Sequence, residues 1–263
     1  MRKSVSILLF LFLFLLFSAC AVLEDRVNCL CTLSLDIGNA YLACPSSRLL
    51  LKLSSEKNSY REDIAMEREK EELEFEVDKG RVGISALIGL EQNELKNGCV
   101  VIKEGWGCDR IYTSLSSVMA EGERCEASLL PHKQHSVIDL QFSPETDFGA
   151  AGALKVTVES NVSGFDIENE SPLPGIFRVE AAKVGERHFR VVLPRQIDNS
   201  CKMTVIQGAK ATELALGEYL ERSGMDWKKD NLDDAGVYIG ESEAEVEVEI
   251  IEWENIDYQD VSF

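Results

Sequence analysis

The chain lacks the short motifs that usually reveal catalysis or metal binding. It contains no GxSxG nucleophile elbow, no HExxH zinc motif, no glycine-rich phosphate loop and no EF-hand calcium loop. CxxC pairs, which are typical of structural zinc sites, are also missing. The sequence therefore favours a protein that works without catalysis, and we expect neither a cofactor nor a metal site.

Basic residues are scarce. Against 46 aspartates and glutamates there are 27 lysines and arginines, which gives a net charge of −19. Because phosphate binding needs a basic surface, nucleic acid is not an expected partner, and an anionic membrane surface is disfavoured for the same reason. The excess of acid is explained most simply by solubility and mutual repulsion at a crowded surface, with binding of cations or a basic partner as the alternative.

The sequence has one long apolar run, and it lies at the N-terminus. Arg2 and Lys3 precede an unbroken apolar stretch from Ile7 to Phe17, and small residues follow as far as Ala21. This order predicts an export signal over residues 1–21. We therefore expect the rest of the chain outside the cytosol, either secreted or held at a membrane through its N-terminus alone.

The leader can end in three ways. Ala19–Ala21 fits the small-x-small pattern of a signal peptidase site, which would release a secreted chain. Phe17–Cys20 resembles a bacterial lipobox, although Leu is usual at the position of Phe17, and this resemblance implies that Cys20 carries a lipid. Ser4–Leu23 is an uncharged stretch that would reach about 30 Å as a helix, which is enough for an uncleaved anchor.

Seven cysteines follow the leader, and in an exported protein disulfides are their default state. An odd number permits at most three internal bridges. Cys99 and Cys108 are the pair closest in sequence that can plausibly bond, and their small loop would stabilise the fold by roughly 2 to 3 kcal/mol. Cys29 and Cys31 are too close to bond to each other and are expected to have separate partners. The seven are Cys29, Cys31, Cys44, Cys99, Cys108, Cys125 and Cys201.

Few other residues suggest chemistry. The rival to a binding protein is a secreted hydrolase that uses Cys108 as its nucleophile or a pair of carboxylates. His132 and His135 could form a metal pair, but a polar turn context favours two exposed turn residues. Trp106, between two glycines, either stacks on a sugar or partner or covers hydrophobic surface.

Short alternating segments separated by turn residues predict a mainly β fold, made of antiparallel β-sandwich-like modules with one or two short helices. The rhythm resembles that of immunoglobulin-like modules, but the Cys, Trp, Cys signature is missing. Small residues at Asp147–Ala153 mark a domain boundary near residue 150. The expected domains are a cysteine-containing β-rich domain over 22–149 and a sandwich-like domain over 150–263.

Two local patterns predict hairpins. Leu73, Phe75 and Val77 alternate with acidic residues and lead into the apolar segment 82–90. Further on, a shared apolar phase pairs the strand 177–181 with the strand 189–193, through a turn that needs Gly185 in the left-handed region. In that hairpin the apolar side chains point into one core and His188 lies on the wet face opposite Glu180.

Three further segments have a predicted conformation. Glu56–Glu72, rich in helix formers, is expected to be a solvated helix, with a charged loop as the alternative. Thr212–Ser223 is expected to be a helix capped by Thr212 and ended by Gly224. Glu241–Phe263 holds nine acidic residues and no basic one. Its alternation predicts an edge strand with Val246, Val248 and Ile250 inward and a glutamate face in water, which discourages edge-to-edge pairing or binds a basic partner.

Together these observations predict an exported, mainly β protein, held at the cell surface or envelope, that acts as a binding or structural module. Its partner is expected to be a protein or a glycan.

Overall fold

The computed structural model describes residues 29–45, 47–67, 71–144, 154–240 and 246–253. They form nineteen strands and two short helices, so the predicted mainly β class is confirmed. The elements of the first half are β1 (Cys31–Asp36), α1 (Gly38–Ala43), β2 (Arg48–Ser54), β3 (Ser59–Ala65), β4 (Glu72–Val77), β5 (Gly80–Ile88), β6 (Glu94–Lys96), β7 (Cys99–Val101), β8 (Tyr112–Ala120), β9 (Arg124–Ser128), β10 (His132–Lys133) and β11 (His135–Phe142).

The second half adds eight strands and the second helix. They are β12 (Leu154–Asp166), β13 (Ser171–Glu180), β14 (Ala182–Lys183), β15 (His188–Pro194), β16 (Lys202–Gln207), β17 (Lys210–Leu214), α2 (Leu216–Arg222), β18 (Asp234–Ile239) and β19 (Val246–Ile251).

The described strands make four sheets. Sheet I has the order β4-β1-β9, and sheet II has the order β10-β8-β5-β2-β3. Sheet III has the order β17-β16-β12-β7-β6, with β13 also paired to β12, and sheet IV has the order β14-β15-β11-β18-β19. Most neighbours are antiparallel, but β1 with β9 and β11 with β18 run parallel.

The first core is formed by side chains from sheets I and II. Alternation places Leu33 and Leu35 of β1 on one side and Leu49 and Leu51 of β2 on the other, all essentially inaccessible to water. Because alternate residues of a strand point to opposite faces, these strands bury one face each in this core.

The second core is formed by sheets III and IV. Val156 and Val158 of β12 are buried there together with Ile138 and Leu140 of β11. Leu220 of α2 is buried in the same cluster, so the helix closes this core.

A third, small cluster joins the two halves. Leu87 of β5 contacts Val100 of β7 and Phe165 of β12, with Ile111 and Ile167 beside them. Sheet II therefore has apolar contacts on both faces, with sheet I on one side and with sheet III on the other.

The predicted helix over 56–72 is wrong. Residues 59–65 form the strand β3, which pairs along its whole length with β2, from Ser54 with Ser59 to Arg48 with Ala65. The helix formers here are mostly exposed, and the hydrogen bonds to a neighbouring strand outweigh a weak local helix propensity.

The first predicted hairpin has the correct strands and the wrong pairing. β4 pairs with β1 in sheet I, whereas β5 pairs with β2 and β8 in sheet II. Asp78 and Lys79 therefore carry the chain from one sheet to the other. The Asp78 carboxylate accepts hydrogen bonds from Ser55 and Asn58, which fixes this corner and lowers the Asp78 pKa.

The second predicted hairpin also has the correct strands and the wrong pairing. Phe177, Val179, Phe189 and Val191 are all buried in the second core, as expected. However, β13 pairs with β12 and β15 pairs with β11, so the two apolar faces meet across the core from different sheets. A shared apolar phase satisfies both arrangements, and it cannot distinguish them.

The details of that turn differ accordingly. Gly185 does not adopt a positive φ. His188 lies opposite Gln141 rather than Glu180, and its Nε2 is 2.9 Å from Asp139 Oδ1. Its side chain remains 40% exposed, so it does not enter the core.

The second helix is shorter than expected. Thr212 belongs to β17, and the helix spans only Leu216–Arg222. Leu216 and Leu220 are buried, and Gly224, with φ +99°, ends the helical segment.

The acidic C-terminal strand is confirmed for the residues that the structure describes. β19 lies at the edge of sheet IV, where Val246, Val248 and Ile250 pack against the second core while Glu247 and Glu249 are exposed. Glu243 and Glu245 lie outside the described residues.

The predicted domain boundary at 147–153 also lies outside the described residues and stays a prediction. β11 precedes that segment, yet Ile138, Leu140 and Phe142 belong to the second core. The leader, with Cys20, is not described either. In the described ranges, no helix has both the length and the apolar character that crossing a membrane requires.

Candidate functional site

A cleft of about 300 Å³ lies where the outer face of sheet II meets the β6–β7 hairpin and the end of β12. Small-molecule and peptide sites typically begin at this volume. The residues that define its floor and rim are Leu50, Lys52, Leu87, Leu95, Ile167 and Glu168.

The hairpin that forms one wall is encoded locally. Asn97 and Gly98 have φ of 52° and 80°, the conformation of the two-residue turn that Asn-Gly favours. The Ile167 amide donates a hydrogen bond to the Gly98 carbonyl at 3.1 Å, which holds the hairpin tip against the end of β12. Gly164 permits β12 to lie close to β7, since an added Cβ would lie 2.0 Å from the Val100 carbonyl oxygen.

The floor of the cleft is aliphatic. Leu50 and Leu87 are direct cross-strand partners on the outer face of sheet II. They continue into the third cluster, where Ile167 is buried. Leu95, on the edge strand β6, is 45% exposed and extends this apolar surface to the opening of the cleft.

The rim is charged. Lys52 Nζ lies 2.6 Å from Glu168 Oε1, so an ion pair connects sheet II to the turn after β12. Arg61 is the cross-strand partner of Lys52, and Asp63, which pairs with Arg48, is the partner of Leu50. An acidic protein therefore presents basic and acidic groups side by side around an apolar floor.

The turn that carries Glu168 is ordered by Asp166. Its Oδ1 accepts hydrogen bonds from the amides of Glu168 and Asn169, both at 3.0 Å, and its Oδ2 accepts one from Asn169 Nδ2 at 2.8 Å. These bonds stabilise the carboxylate and lower the Asp166 pKa. The segment 166–170 therefore supports the rim of the cleft.

The lining combines aliphatic side chains with charged ones. Its residues include no histidine, cysteine or aromatic ring. An aliphatic group flanked by charged or hydrogen-bonding groups matches such a surface. No sequence motif indicated this cleft, because its floor is assembled from residues far apart in the chain. The Asn-Gly turn was the one local signal.

A buried polar junction lies between the two halves. Lys133 is almost inaccessible, its Nζ lies 2.5 Å from Asp234 Oδ1, and it sits 4.8 Å from the centre of the Trp253 ring. Burial lowers the Lys133 pKa, and the Asp234 carboxylate opposes that shift. The ion pair connects β10 of sheet II to β18 of sheet IV.

Arg195 organises the loop beside this pair. Its guanidinium donates to the Trp227 carbonyl at 2.6 Å, the Lys229 carbonyl at 2.7 Å and the Asp230 carbonyl at 3.0 Å. It also donates to Gln134 Oε1 at 2.7 Å. The start of the acidic segment 230–234 is therefore held by an arginine. No group of three or more His, Cys, Asp or Glu side chains in the described ranges is arranged to hold a metal.

His135 is not an exposed turn residue, and this part of the sequence prediction is wrong. It is fully buried, its Nδ1 is 3.1 Å from the Ile111 carbonyl, and its ring packs edge-on against Tyr112. Burial, followed by the nearby charge of Lys133, depresses its pKa well below the usual value. The imidazole is therefore neutral in the folded protein at neutral pH.

The Cys99–Cys108 bridge stays a prediction; the structure describes seven cysteines, all as free thiols. Cys108 is buried in the second core and donates to the Asp109 carbonyl at 3.2 Å, whereas Cys99 lies half-buried in β7 beside the Asn97 carbonyl. Burial raises the Cys108 pKa strongly, and the Asp109 charge adds to that shift. A protonated, enclosed thiol does not act as a nucleophile, which removes the structural basis for the hydrolase alternative at this residue.

A pair of thiols, which no sequence motif indicated, lies in the first core. Cys31 is fully buried in β1, and Cys125 is half-buried in the adjacent strand β9 and packs against the same core. Burial first, and then the hydrogen bond and charge of Cys31, raise the Cys125 pKa to about 11. Their separation in sequence gave no reason to pair them.

Trp106 lies at an exposed turn, 46% accessible. Lys103 Nζ is 5.9 Å from the centre of its ring. A cation therefore occupies one approach to the surface that could stack on a sugar.

Comparison with known proteins identifies the fold. No protein-family model matches the chain, and no curated protein matches its sequence. Among solved structures, a candidate polysaccharide-binding protein from Bacteroides thetaiotaomicron has a TM-score of 0.63 at 11% identity, covering 86% of this chain and 100% of that one.

Two others extend the comparison. A candidate adhesin from Bacteroides thetaiotaomicron has a TM-score of 0.58 at 13% identity, covering 86% of this chain and 97% of that one. The fimbrial anchor protein of Porphyromonas gingivalis has a TM-score of 0.54 at 11% identity, covering 81% of this chain and 91% of that one. At these identities the likeness establishes a shared fold, and the chain is similar to these three proteins in its β architecture.

Proposed function

We propose that this protein is an exported cell-surface module that binds a partner protein through the cleft between sheet II and the β6–β7 hairpin. Cys20 is its lipid attachment site, so the leader anchors the folded part to a membrane. The observation that carries the proposal is the cleft itself, with its aliphatic floor and charged rim. The leader and the fold shared with adhesin-like and fimbrial proteins support the location.

The lining favours a protein segment over a sugar. Sugar rings usually stack on aromatic side chains, and the cleft offers aliphatic carbon from Leu50, Leu87 and Leu95 instead. An aliphatic side chain of a partner fits this floor. Lys52 and Glu168 would then give up their ion pair and contact charged groups of the partner that flank this side chain.

The edge strand β6 adds a second reason. It is the last strand of sheet III among the described residues, and all three of its residues are exposed. An extended segment can pair with such an edge through main-chain hydrogen bonds while alternate side chains enter a neighbouring pocket. Leu95, on β6 and at the opening of the cleft, lies where these two contacts would meet.

Glycan binding is the second candidate, because one solved structure of this fold is described as a candidate polysaccharide-binding protein. In this chain the residue suited to it is Trp106, away from the cleft lining. The two candidates therefore depend on different residues and can be separated by substitution.

Binding is tested by panning the chain without residues 1–21 against a phage-displayed peptide library and, in parallel, against a glycan array. We expect peptides with an aliphatic centre, whose affinity falls tenfold or more in Leu95→Glu because a central contact is lost. Leu130→Glu is the matched control, since Leu130 is an exposed leucine outside the cleft. Glycan binding lost in Trp106→Ala would favour the second candidate, and binding unaffected by Leu95→Glu would overturn the assignment of the cleft.

Anchoring is tested with the full chain in a bacterium that processes lipoproteins. We expect fatty-acid labelling and recovery in the membrane fraction, both lost in Cys20→Ser and kept in the control Cys99→Ser. Full-length protein in the cytosol with all cysteines reduced would contradict export.

A further inference from the structure

Two cysteines from distant parts of the chain meet in sheet I. β1 and β9 are parallel neighbours, with Leu33 opposite Cys125. Cys31 lies two residues before Leu33, and because side chains alternate along a strand, Cys31, Leu33 and Cys125 all face the first core. The two thiols are therefore diagonal neighbours on one face of sheet I.

Cys31 lies at the start of β1, beyond the β1–β9 ladder. That ladder begins at Thr32, which pairs with Arg124, so Cys31 precedes its first rung. On its other side Cys31 pairs with Val77 of β4. Diagonal neighbours in a sheet lie roughly 7 to 8 Å apart, so a disulfide requires the start of β1 to move toward β9.

We propose that Cys31 and Cys125 form a disulfide when the protein meets an oxidising, disulfide-bearing reagent outside the cytosol. The bridge closes the long loop 32–124 and fastens the start of β1 to the edge strand β9. β1 is the first strand of the part of the chain that the structure describes, so a chain tethered at its N-terminus is fastened near the start of the described fold.

The chemistry is thiol–disulfide exchange. Because burial raises the Cys125 pKa to about 11, only a small fraction of this half-buried residue is thiolate, and that fraction attacks one sulfur of the oxidant. A mixed disulfide forms, and the oxidant releases one thiolate. Cys31 then attacks Cys125 Sγ, the protein disulfide forms, and the second thiolate leaves. In total the two cysteines lose two electrons and two protons, and the disulfide of the oxidant is reduced to two thiols.

The physiological part of this inference rests on the proposed function, because only an exported chain meets such an oxidant. The pairing itself does not, since it depends only on the geometry of sheet I. Reagents added to the purified chain therefore test the pairing separately from export.

The experiment treats the chain without residues 1–21 with oxidised glutathione, alkylates the remaining thiols under denaturing conditions and maps the peptides. We expect a Cys31–Cys125 linked peptide and a melting temperature raised by roughly 5 to 10 °C. Cys125→Ser is expected to lose that shift on oxidation. Cys99→Ser is the matched control, with a half-buried cysteine on another sheet, and is expected to keep it.

A linked peptide that joins Cys125 to another cysteine, or no linked peptide at all, overturns the pairing. The same mapping on protein recovered from cells tests the compartment. A bridge that forms with glutathione while every thiol is reduced in cells supports the pairing and contradicts export.

Discussion

The two large cores of this protein are assembled differently. The buried residues of the first core come from one stretch of chain, between Cys31 and Leu129. Those of the second core begin at Ile102 and extend to Ile239, so they combine strands from both halves of the sequence. The first is therefore the more local structure, and the second depends on pairings made over long distances in the chain.

The two cores nevertheless share one feature, a parallel pair of neighbouring strands. Each contains one parallel pair, β1 with β9 in sheet I and β11 with β18 in sheet IV. Parallel neighbours cannot be joined by a tight turn, so each pair requires a long intervening segment. In both cases that segment supplies most strands of the opposing sheet, which explains why hairpin rules describe so little of this topology.

What joins the two cores is partly polar. Lys133, at the end of sheet II, and His135, at the start of sheet IV, are separated by one residue, and both are buried. A buried ion pair costs desolvation of two charges, and removing one partner leaves the other charge uncompensated. The difference between an apolar core and a polar junction can be measured directly.

The largest effect is expected at the junction. Lys133→Met leaves the Asp234 carboxylate without its ammonium, and we expect the free energy of unfolding in urea to fall by about 3 to 5 kcal/mol. Lys202→Met is the matched control, because Lys202 pairs with Glu213 in an exposed contact at 2.8 Å and should cost less than about 1 kcal/mol. Equal losses in the two variants would show that the junction is not a special contact.

The next effect compares the cores themselves. Leu33→Ala in the first and Leu140→Ala in the second each remove a fully buried side chain, and each is expected to cost about 3 kcal/mol. Because the third cluster and the junction connect the cores, we expect one cooperative transition in both variants. Trp227 in the second core and Trp253 beside the first report on each separately. Two separate transitions would show that the cores fold independently.

The existence of the strands could be predicted from the sequence, because alternation is a local property. Leu73 and Val77, Phe177 and Phe189, and Val248 are buried or packed as their apolar phase indicates. The choice of partner could not be predicted. A strand that buries one face satisfies its pattern equally well beside its neighbour in sequence or across a core from it.

The candidate site could be predicted less well than the strands, because it too depends on which strands pair and pack. The Asn-Gly turn of its wall is a local signal, but Leu50, Leu87 and Ile167 meet only after sheets II and III pack. The thiols of Cys31 and Cys125 likewise meet only through the parallel pairing of β1 and β9. His135 was misjudged because its polar sequence neighbours suggested a turn, whereas long-range packing buries it.

A smaller effect is expected from pH. The His135 pKa is depressed in the folded protein, so below about pH 6.5 the unfolded chain binds a proton that the folded chain does not. Stability is therefore fully present above that pH and is lost as the pH falls, with a slope of at most about 1.4 kcal/mol per pH unit. Urea titrations at several pH values measure this slope.

The matched variants locate the effect in the junction. His135→Gln removes the titrating group and is expected to flatten the slope between pH 6.5 and 5. His188→Gln, at a half-exposed position beside Asp139, is expected to keep it. An unchanged slope in His135→Gln would assign the acid sensitivity to other groups.

The smallest effect on stability is expected at the edge of sheet IV. Glu247 and Glu249 are exposed on the edge strand β19, whose other face packs against the second core. An uncovered strand edge is a template for pairing with another chain, and a row of like charges on it opposes that pairing. The double variant Glu247→Gln, Glu249→Gln should change the free energy of unfolding by less than about 0.5 kcal/mol, because both side chains are in water.

Self-association is the sensitive measurement for this edge. Sedimentation at increasing protein concentration should show dimers or larger species in the double variant and, more weakly, in the wild type at high salt, where the same charges are screened. Glu56→Gln, Glu186→Gln makes the same change of charge at two exposed bends away from the edge, so it separates the position of the charges from net charge alone. If both double variants associate equally, net charge keeps the protein apart. If neither double variant associates, the acidic face does not prevent pairing. Recognition of a basic partner then remains as its role.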